Sequence, residues 1–404
     1  MFIERAIGKV IIETSQAFPV VLVTGPRQVG KTTLLQKLAE KNRKYISLDD
    51  PVARQLAVEE PALFLQRYSP PVLIDEIQYA PELLTYIKIH VDTHKTNGLF
   101  WLTGSQMFHM MRGVSESLAG RVGIIPMQGL STAEINDLTT EPYTTDETRL
   151  MNRLNYSVAL NLKEIYERIF KGSMPAVYEL DQNIERYYAS YVDTYIRRDV
   201  RDLAQVADEM QFHKFLTACA ARTSQMLNYS DIAKDVGITS PTAKKWLSIL
   251  TSSGIIVLVE PYYNNYLKRI IKAPNMYFMD TGLCAYLTRW TSSESLEVAA
   301  MSGAFFETLV VSEIVKSYLN AGRRPPIYYY RDSDQKEIDL IIEDNGVLYP
   351  IEIKKTSNPK KNAGRHFEVL DKTGMKRGTG NIICMVNDLV PLQKDIWAVP
   401  VSLL

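Results

Sequence analysis

The sequence has little cysteine, no excess of charge of either sign and no long apolar run. Its 46 Lys and Arg residues equal its 46 Asp and Glu residues, so any contact with nucleic acid has to come from a local patch. Cys219, Cys284 and Cys384 are too few and too widely spaced for a disulfide framework or a zinc pattern, and we expect buried thiols. No stretch approaches the length of a membrane span. We therefore expect a cytoplasmic protein with no membrane partner.

No fixed-period repeat divides the 404 residues, so domain boundaries have to follow from changes in pattern. Alternating short strands and helices fade near residue 135 and give way to a helical pattern. A helix-turn-helix pattern begins near residue 228. We predict an α/β multidomain protein with the following parts: a first α/β domain at 1–135, a helical lid or connector at 136–215, a winged helix-turn-helix at 216–290 and a second α/β domain at 291–404.

The most informative stretch is a strand that runs into a glycine-rich loop and then a helix. It reads VVLVTGPRQVGKTT, a Gly-x-x-x-x-Gly-Lys-Thr loop in the context that a phosphate-binding loop requires. Backbone N–H groups of such a loop hold phosphates, Lys31 meets the β- and γ-phosphate charge, and Thr32 offers a hydroxyl to Mg²⁺. The predicted nucleotide-binding residues are Gly25, Pro26, Arg27, Gln28, Val29, Gly30, Lys31, Thr32 and Thr33.

A second apolar strand ends in two carboxylates, with the sequence VLIDE at residues 72–76. Asp75 is placed to hold Mg²⁺ through water, and Glu76 is placed to orient the water that attacks the γ-phosphate. The alternative is an acidic pair that only ends the strand. Together with the glycine-rich loop, the pair predicts Mg²⁺-dependent hydrolysis of ATP rather than binding alone.

Two further residues are candidates for contact with the transferring phosphate. Ser105, or Thr103 before it, ends a third apolar strand and is a candidate sensor of the γ-phosphate. Arg121 precedes the strand-like stretch VGIIP, and its guanidinium is a candidate for stabilising the phosphoryl group, in its own chain or across the interface of a homo-oligomer. A structural salt bridge is the alternative interpretation of Arg121.

The middle of the chain contains an aromatic stripe and a helix-turn-helix pattern. Tyr187, Tyr188 and Tyr191 share one helical face, which is typical of a core. Ser230 is predicted to cap the first helix of the helix-turn-helix, and strands at 255–259 and near Tyr262 are predicted to form a wing. DNA contact and protein packing both remain open. The predicted DNA contacts are Thr242, Lys244, Lys245, Lys268, Arg269 and Lys272.

A second set of candidate catalytic residues lies near the C-terminus. Glu307 falls on a helix and Asp339 on a strand, while Glu352 and Lys354 share one face of the next strand. Three carboxylates and a lysine in this order indicate a phosphodiesterase that uses Mg²⁺ or Mn²⁺; a salt-bridged sheet face is the alternative. A rim of basic residues, which indicates DNA as the substrate, consists of Lys355, Lys360, Lys361, Arg365, Lys372, Lys376 and Arg377.

Taken together, these motifs resemble the prokaryotic AAA-like P-loop ATPases that end in a conserved domain of unknown function. The resemblance rests on residues 25–32, 73–78, 102–105, 118–121, 191–199, 278–283, 337–339 and 351–354. It implies an ATPase core, a winged-helix segment and a C-terminal domain similar to the restriction-endonuclease or Holliday-junction-resolvase fold. It also implies that Glu307, Asp339, Glu352 and Lys354 fall on that fold's metal-site positions. It implies no substrate.

Two functional hypotheses follow from the sequence. In the first, a DNA-associated protein hydrolyses ATP, and the nucleotide state of its core gates a nuclease-like C-terminal domain of the PD-(D/E)xK type. In the second, the protein is a nucleotide-switched regulator or scaffold whose nuclease-like domain binds DNA or another partner without cutting. The two hypotheses differ in whether the C-terminal domain cleaves DNA when a divalent cation is present.

Overall fold

A computed structural model describes residues 2–104, 117–138, 141–179, 183–196, 209–263 and 273–404, with the backbone alone described for 195–196. Ser105, Lys268, Arg269 and Lys272 lie outside the described residues, so the predictions made for them stay predictions. Within the described ranges, no helix is long and apolar enough to cross a membrane.

The N-terminal part contains a five-stranded parallel sheet in the order β2-β3-β4-β1-β5. Val21 and Val23 pack on one face of it and Val20 and Leu22 on the other, so both faces are covered, as is usual for parallel sheets. The strands are β1 Val20–Thr24, β2 Lys44–Ser47, β3 Val72–Asp75, β4 Phe100–Gly104 and β5 Val122–Pro126. The helices are α1 Gly8–Ala17, α2 Lys31–Leu38, α3 Pro51–Glu59, α4 Pro61–Arg67 and α5 Leu83–His94.

All the strand pairs of this sheet are parallel, so the carboxyl ends of its strands meet at one edge. Thr24 ends β1 there and Asp75 ends β3, with β4 between the two strands. A ligand of an open α/β sheet binds at this edge. The fold therefore brings the glycine-rich loop and the acidic pair together, although about forty residues separate them in the sequence.

A helical region follows the sheet. Its helices are α6 Thr132–Ile135, α7 Glu147–Leu154, α8 Leu162–Lys171, α9 Pro175–Glu179 and α10 Ile184–Tyr191, which continues as a π-helical turn over Val192–Ile196. Tyr187, Tyr188 and Tyr191 are buried, and this confirms the aromatic core face predicted from the sequence.

The next elements are α11 Glu209–Ala220, β6 Gln225–Met226, α12 Tyr229–Val236, α13 Ser240–Ser252, β7 Ile256–Val259 and β8 Asn275–Phe278. The three strands form an antiparallel sheet in the order β6-β8-β7. The predicted helix pair is present, but the cap of α12 was predicted wrongly. Asn228 caps it, because its side chain accepts from the N–H groups of Ser230 and Asp231 at 3.0 and 3.3 Å.

The predicted second strand of the wing is also wrong at Tyr262. Its N–H donates to the carbonyl of Tyr329 at 2.6 Å, and its side chain packs in a C-terminal core cluster with Ile338 and Phe367. The strand that pairs with β7 is β8, which lies further along the chain. Tyr262 therefore contacts the C-terminal sheet through both its backbone and its side chain.

The C-terminal part is a mixed sheet in the order β14-β15-β13-β11-β10-β9, with β12 beside β11. Cys219, Cys284 and Cys384 are buried free thiols, as expected. The helices are α14 Thr281–Leu287, α15 Ser293–Glu297 and α16 Ser302–Asn320. The strands are β9 Ile327–Arg331, β10 Glu337–Asp344, β11 Val347–Ile353, β12 Lys376–Arg377, β13 Gly380–Cys384, β14 Val390–Gln393 and β15 Ile396–Pro400, and 3₁₀ turns lie at Phe367–Thr373 and Val401–Leu403.

Two glycines that end helices differ in backbone conformation and in surroundings. Gly172, at the end of α8, has a ψ of −150°, whereas Gly237, at the end of α12, has a ψ of 36°. Gly172 and Gly237 have φ values of +77° and +79°. A Cβ on Gly172 would lie 2.3 Å from the hydroxyl of Tyr188 and 2.6 Å from Oδ1 of Asp280, whereas a Cβ on Gly237 meets no described atom within 4 Å.

We expect Gly237→Ala to lower the free energy of unfolding by about 1 kcal/mol, the usual penalty of positive φ. Gly172→Ala should lower it by at least about 3 kcal/mol, because the backbone of Gly172 lies in a region that essentially only glycine adopts and because the methyl group also displaces buried polar atoms. Urea unfolding of both variants measures the difference. Equal losses would contradict the described packing around Gly172.

Candidate active site and its connection to the C-terminal domain

The glycine-rich loop wraps closely around the carboxyl end of β1. Gly25 has a φ of +137°, and a Cβ there would lie 2.0 Å from the carbonyl oxygen of Met127, so only glycine fits. Gly30, with a φ of +89°, immediately precedes the first residue of α2. The N–H groups of the first turn of α2 therefore face the loop, which is the arrangement that binds phosphate.

Lys31 points into this loop. Its ammonium donates to the carbonyls of Gly25 and Pro26 at 3.0 and 2.7 Å, and the residue is only 7% exposed. Carbonyl oxygens hold the ammonium where the oxygens of a bound phosphate can replace them. The lysine of the predicted motif is thus already positioned.

Polar groups from three other elements converge on the carboxylate of Asp75. Its Oδ1 accepts from the hydroxyl of Thr32 at 2.7 Å and from that of Thr103, and its Oδ2 accepts from the phenol of Tyr45 at 3.3 Å. Burial and the charge of Asp75 raise the pKa of Tyr45, so the phenol keeps its proton. Oxygen donors suit Mg²⁺, and Thr32 and Asp75 are the residues that would hold it.

Glu76 adopts a left-handed backbone conformation, with a φ of 57°. Its N–H donates to the Thr103 hydroxyl at 3.0 Å, so Thr103 contacts both members of the acidic pair. The Glu76 carboxylate bonds to Gln78 and lies 3.8 Å from the guanidinium of Arg27. The predicted base is therefore next to the phosphate loop, in contact with one of the loop's own residues.

A cavity of about 650 Å³ opens beside the loop, between the N-terminal segment and α10. Such a volume suits a small molecule such as a nucleoside. Tyr187 donates to the side-chain oxygen of Gln28 at 2.8 Å, and Tyr191 donates to the carbonyl of Arg27 at 3.4 Å. Sequence analysis placed both tyrosines in the core and missed these contacts. The sequence signal for these contacts is that both positions are tyrosine and not phenylalanine, because the hydroxyl of a buried tyrosine needs a hydrogen-bond partner.

Arg121 lies at the wrong end of the sheet to reach a nucleotide bound by its own chain. It precedes β5, and β1 and β5 run parallel with Val20 opposite Val122, so the phosphate loop is about 16 Å away at the other edge. Its guanidinium pairs with exposed Asp92, with Nη2 3.0 Å from Oδ2. The prediction of a role within the chain is wrong; a role across a subunit interface stays a prediction.

The C-terminal candidates converge, but around an ammonium group. Lys354 Nζ lies 3.2 Å from Oδ2 of Asp339 and 2.6 Å from Oε2 of Glu352. Tyr277, which belongs to β8, donates to Oε1 of Glu307 at 2.8 Å. Burial and the charge of Asp339 raise the pKa of Glu307 to about 7 and that of Glu352 to about 8. These shifts indicate an acidic cluster with too little positive charge to keep every carboxyl ionised.

The predicted C-terminal metal site is not formed as a set of ligands. In the part of the chain that the structure describes, no group of three His, Cys, Asp or Glu side chains is arranged to hold a metal ion. Glu307 faces Tyr277, and the carboxylates of Asp339 and Glu352 face Lys354. The sequence correctly predicted that Asp339, Glu352 and Lys354 lie close together. It did not predict that the ammonium of Lys354 would lie between the two carboxylates.

The residues of the predicted basic rim differ in their position along the sheet and in their contacts. Lys376 and Arg377 form β12, which pairs with the start of β11, whereas Glu352 is near the end of β11. Arg377 also pairs with Asp371, with Nε 2.8 Å from Oδ1, and Lys355 donates to the Ser302 hydroxyl at 3.0 Å. Lys360, Lys361, Arg365 and Lys372 are exposed.

The segment at residues 127–134, which we call the junction segment, contacts the phosphate loop. Arg5 joins the two: its guanidinium donates to the carbonyl of Val29 in the loop at 2.8 Å and to that of Gln128 at 2.7 Å. The same guanidinium pairs with Glu134, with Nε 3.1 Å from Oε1. Arg5 therefore contacts the phosphate loop and both ends of the junction segment.

The junction segment also contacts α16, the helix that carries Glu307. The N–H of Thr132 donates to Oε2 of Glu313 at 2.7 Å, and Lys316 Nζ donates to the carbonyl of Leu130 at 3.1 Å. Burial alone would raise the pKa of Glu313, but the charges of Lys316 and Arg168 outweigh it and lower that pKa. Glu313 is therefore an ionised, buried carboxylate between the first and last parts of the chain.

Comparison with protein families identifies the N-terminal part. Residues 17–136 match the model of an AAA domain. With the phosphate loop and the acidic pair at one sheet edge, this match decides the class. Residues 17–136 are an AAA-type P-loop ATPase domain. Residues 162–294 and 302–404 match two domains of unknown function, DUF8612 and DUF4143. ATP and Mg²⁺ are the ligands that this class implies.

Two relatives are similar to this protein over nearly the whole chain, but they add no function to the comparison. Uncharacterized proteins of Mycobacterium tuberculosis and Mycobacterium bovis are each 29% identical over 387 residues, which is 95% of this chain and 80% of theirs. Among solved structures, a Walker-type ATPase of Pyrococcus abyssi is 17% identical over 71% of this chain and 96% of its own, with a TM-score of 0.45. The Holliday junction branch migration motor RuvB of Thermotoga maritima is 18% identical over 62% and 88%, with a TM-score of 0.30.

Thr103 and Thr24 allow a matched test of the hydrogen bonds around Asp75. Both are fully buried and lie on neighbouring strands, but Oγ1 of Thr24 has no hydrogen-bond partner among the described residues. Thr103→Val removes a donor to Asp75 and the acceptor of the Glu76 N–H.

We expect Thr103→Val to lower kcat for ATP hydrolysis roughly 10- to 100-fold, since bonds to a charged group are the strong ones, with a smaller change in KM. Thr24→Val should leave kcat within about twofold. Steady-state kinetics of the two variants makes the comparison. A similar kcat for both would show that Thr103 has no part in positioning the acidic pair.

Proposed function

We propose that this ATPase is a DNA-associated switch in which the nucleotide state of the phosphate loop sets the position of α16 in the C-terminal domain. The observation that carries the proposal is the junction segment, which contacts the loop through Arg5 and contacts α16 through Glu313 and Lys316. A nucleotide that moves the loop then acts on the helix that carries Glu307.

The roles proposed for the site residues follow from their positions. Backbone groups of residues 25–33 and the Lys31 ammonium bind the phosphates, and Thr32 with Asp75 holds Mg²⁺, which neutralises phosphate charge when bound. Glu76 takes a proton from the attacking water, after its carboxylate moves away from Arg27. The contacts of Thr103 with both acidic residues support a positioning role for it.

The proposed DNA contact is α13. A helix, a short strand, two helices and a hairpin occur in that order, with the three strands in one sheet, and this supports a winged helix-turn-helix with α13 as its recognition helix. Trp246, Leu247 and Leu250 bury one face of α13, whereas Lys244 and Lys245 are exposed on another. Exposed lysines on such a helix bind backbone phosphates.

A second candidate function is DNA cleavage by the C-terminal domain. The convergence of Asp339, Glu352 and Lys354 on one point, with Glu307 close enough for the charge of Asp339 to raise its pKa, favours it. The ammonium between the two carboxylates favours binding without cleavage. We therefore place the non-cleaving switch first.

The switch makes a direct prediction about DNA affinity. Anisotropy of labelled linear and branched DNA should show at least a roughly fivefold difference in Kd between nucleotide-free protein and protein with Mg²⁺ and a non-hydrolysable ATP analogue, a typical coupling between sites. Lys31→Ala should abolish this difference, because the loop no longer holds the phosphates.

Salt dependence tests which surface binds the DNA. Lys244→Ala with Lys245→Ala should weaken binding and reduce the slope of log K against log salt by about 2, roughly one for each lost phosphate contact. Lys9→Ala is the control, since Lys9 is an exposed lysine on α1 with a side chain 85% exposed. A nucleotide-independent Kd in the wild type would contradict the switch, and an unchanged slope in the double variant would contradict the role of α13.

Cleavage has its own experiment. Plasmid and branched DNA are incubated with Mg²⁺ or Mn²⁺, with and without ATP, using the wild type and Asp339→Ala. The non-cleaving switch predicts no products with either protein, while ATP hydrolysis continues in both. Products that appear with the wild type and disappear with Asp339→Ala would instead establish the second function and exclude a contaminating nuclease.

Several sequence predictions remain predictions. They are the division at residues 135, 215 and 290, the homo-oligomer, the cytoplasmic location, and the roles of Ser105 and of Arg121 across an interface.

A further inference from the structure

We propose that Tyr45 is a positioning residue for the ATPase reaction, holding the outer oxygen of Asp75 so that the inner oxygen stays directed at Thr32. The proposal concerns a residue that the sequence motifs of the ATP site do not include. It rests on the role proposed above for Asp75 toward Mg²⁺.

The sheet register brings Tyr45 to Asp75. β2 pairs in parallel with β3, with Tyr45 opposite Leu73 and Ser47 opposite Asp75. Alternate residues of a strand share a face, so Tyr45 and Ser47 lie on the face of Leu73 and Asp75. Ile46 packs on the opposite face with the second core cluster. The phenol of Tyr45 therefore reaches along the sheet surface toward the carboxyl ends of the strands.

The hydrogen bonds of Asp75 divide between its two oxygens. Oδ1 takes the hydroxyls of Thr32 and Thr103, and Oδ2 takes the phenol of Tyr45 at 3.3 Å. The phenol of Tyr45 opposes rotation of the Asp75 carboxylate away from Thr32. Removing the phenol removes this donor from Oδ2. Hydrogen bonds at catalytic groups are often long before the ligand binds, so this length is compatible with the role.

Tyr45 is also placed where a purely structural tyrosine would not be expected. β2 is the edge strand of the sheet, and Tyr45 is 45% exposed, so its ring contributes little to the core. The distinguishing feature of Tyr45 is its hydroxyl, which contacts the carboxylate of Asp75, a residue that is only 7% exposed. Removing that hydroxyl alone should leave the fold intact.

The test compares nucleotide affinity with and without the cation. Calorimetric titration of a non-hydrolysable ATP analogue in Mg²⁺ and in EDTA gives, for each protein, the factor by which Mg²⁺ tightens binding. We expect Tyr45→Phe to leave the affinity in EDTA within about twofold and to reduce the Mg²⁺ factor roughly fivefold, the effect of one hydrogen bond of ordinary strength. Tyr86→Phe, a partly exposed tyrosine on α5, should change neither quantity.

Asp75→Asn and the double variant separate the possible failures. If Tyr45 acts through Asp75, adding Tyr45→Phe to Asp75→Asn should not lower the Mg²⁺ factor further. An Mg²⁺ factor that falls in Asp75→Asn but not in Tyr45→Phe overturns the inference alone. An Mg²⁺ factor that survives in Asp75→Asn overturns the role of Asp75 itself, and with it the inference. An equal loss of affinity in Mg²⁺ and EDTA also overturns it, because that result indicates a structural effect.

Discussion

The ionised carboxylate of Glu313 is the contact on which the joining of the first and last parts of the chain depends. It is 2% exposed and lies beside Lys316 and Arg168, with the N–H of Thr132 as a further donor. Glu313 and Lys316 lie on the same helix, and Lys316 also donates to the carbonyl of Leu130, so both charged side chains contact the junction segment. Removing one partner from such a buried pair costs about 3–5 kcal/mol. The junction segment is therefore joined to α16 by buried polar contacts.

The ATP site follows from a different constraint, the meeting of parallel strands at one edge. β1 ends in the phosphate loop and β3 ends in Asp75, so the sheet brings Thr32 to Asp75 although the two residues are far apart in the sequence. Thr103 contacts both acidic residues because its strand, β4, pairs directly with β3. Tyr45 reaches the same carboxylate from β2, on the other side of β3. The strand order thus decides which side chains surround the carboxylate.

Sequence patterns predicted those features that local periodicity and motif chemistry determine. The phosphate loop, the helix pair at α12 and α13, and the strands around Asp339 and Glu352 all occur where the patterns placed them. The failures are tertiary. Arg121 was given a catalytic position because it precedes a strand, but the direction of that strand puts it at the far edge. The sequence predicts a catalytic role for Lys354, whereas its ammonium lies between the carboxylates of Asp339 and Glu352. The spacing of these residues in the sequence does not predict that contact.

Hydrogen exchange of the backbone tests most directly whether the phosphate loop communicates with the C-terminal domain. Protein with Mg²⁺ and a non-hydrolysable ATP analogue is compared with nucleotide-free protein, using Lys31→Ala as the control that does not hold the phosphates. The account predicts altered protection not only at the loop but also at the N–H of Thr132 and along α16, and no such change in the control. A change confined to the loop and its sheet edge would contradict it.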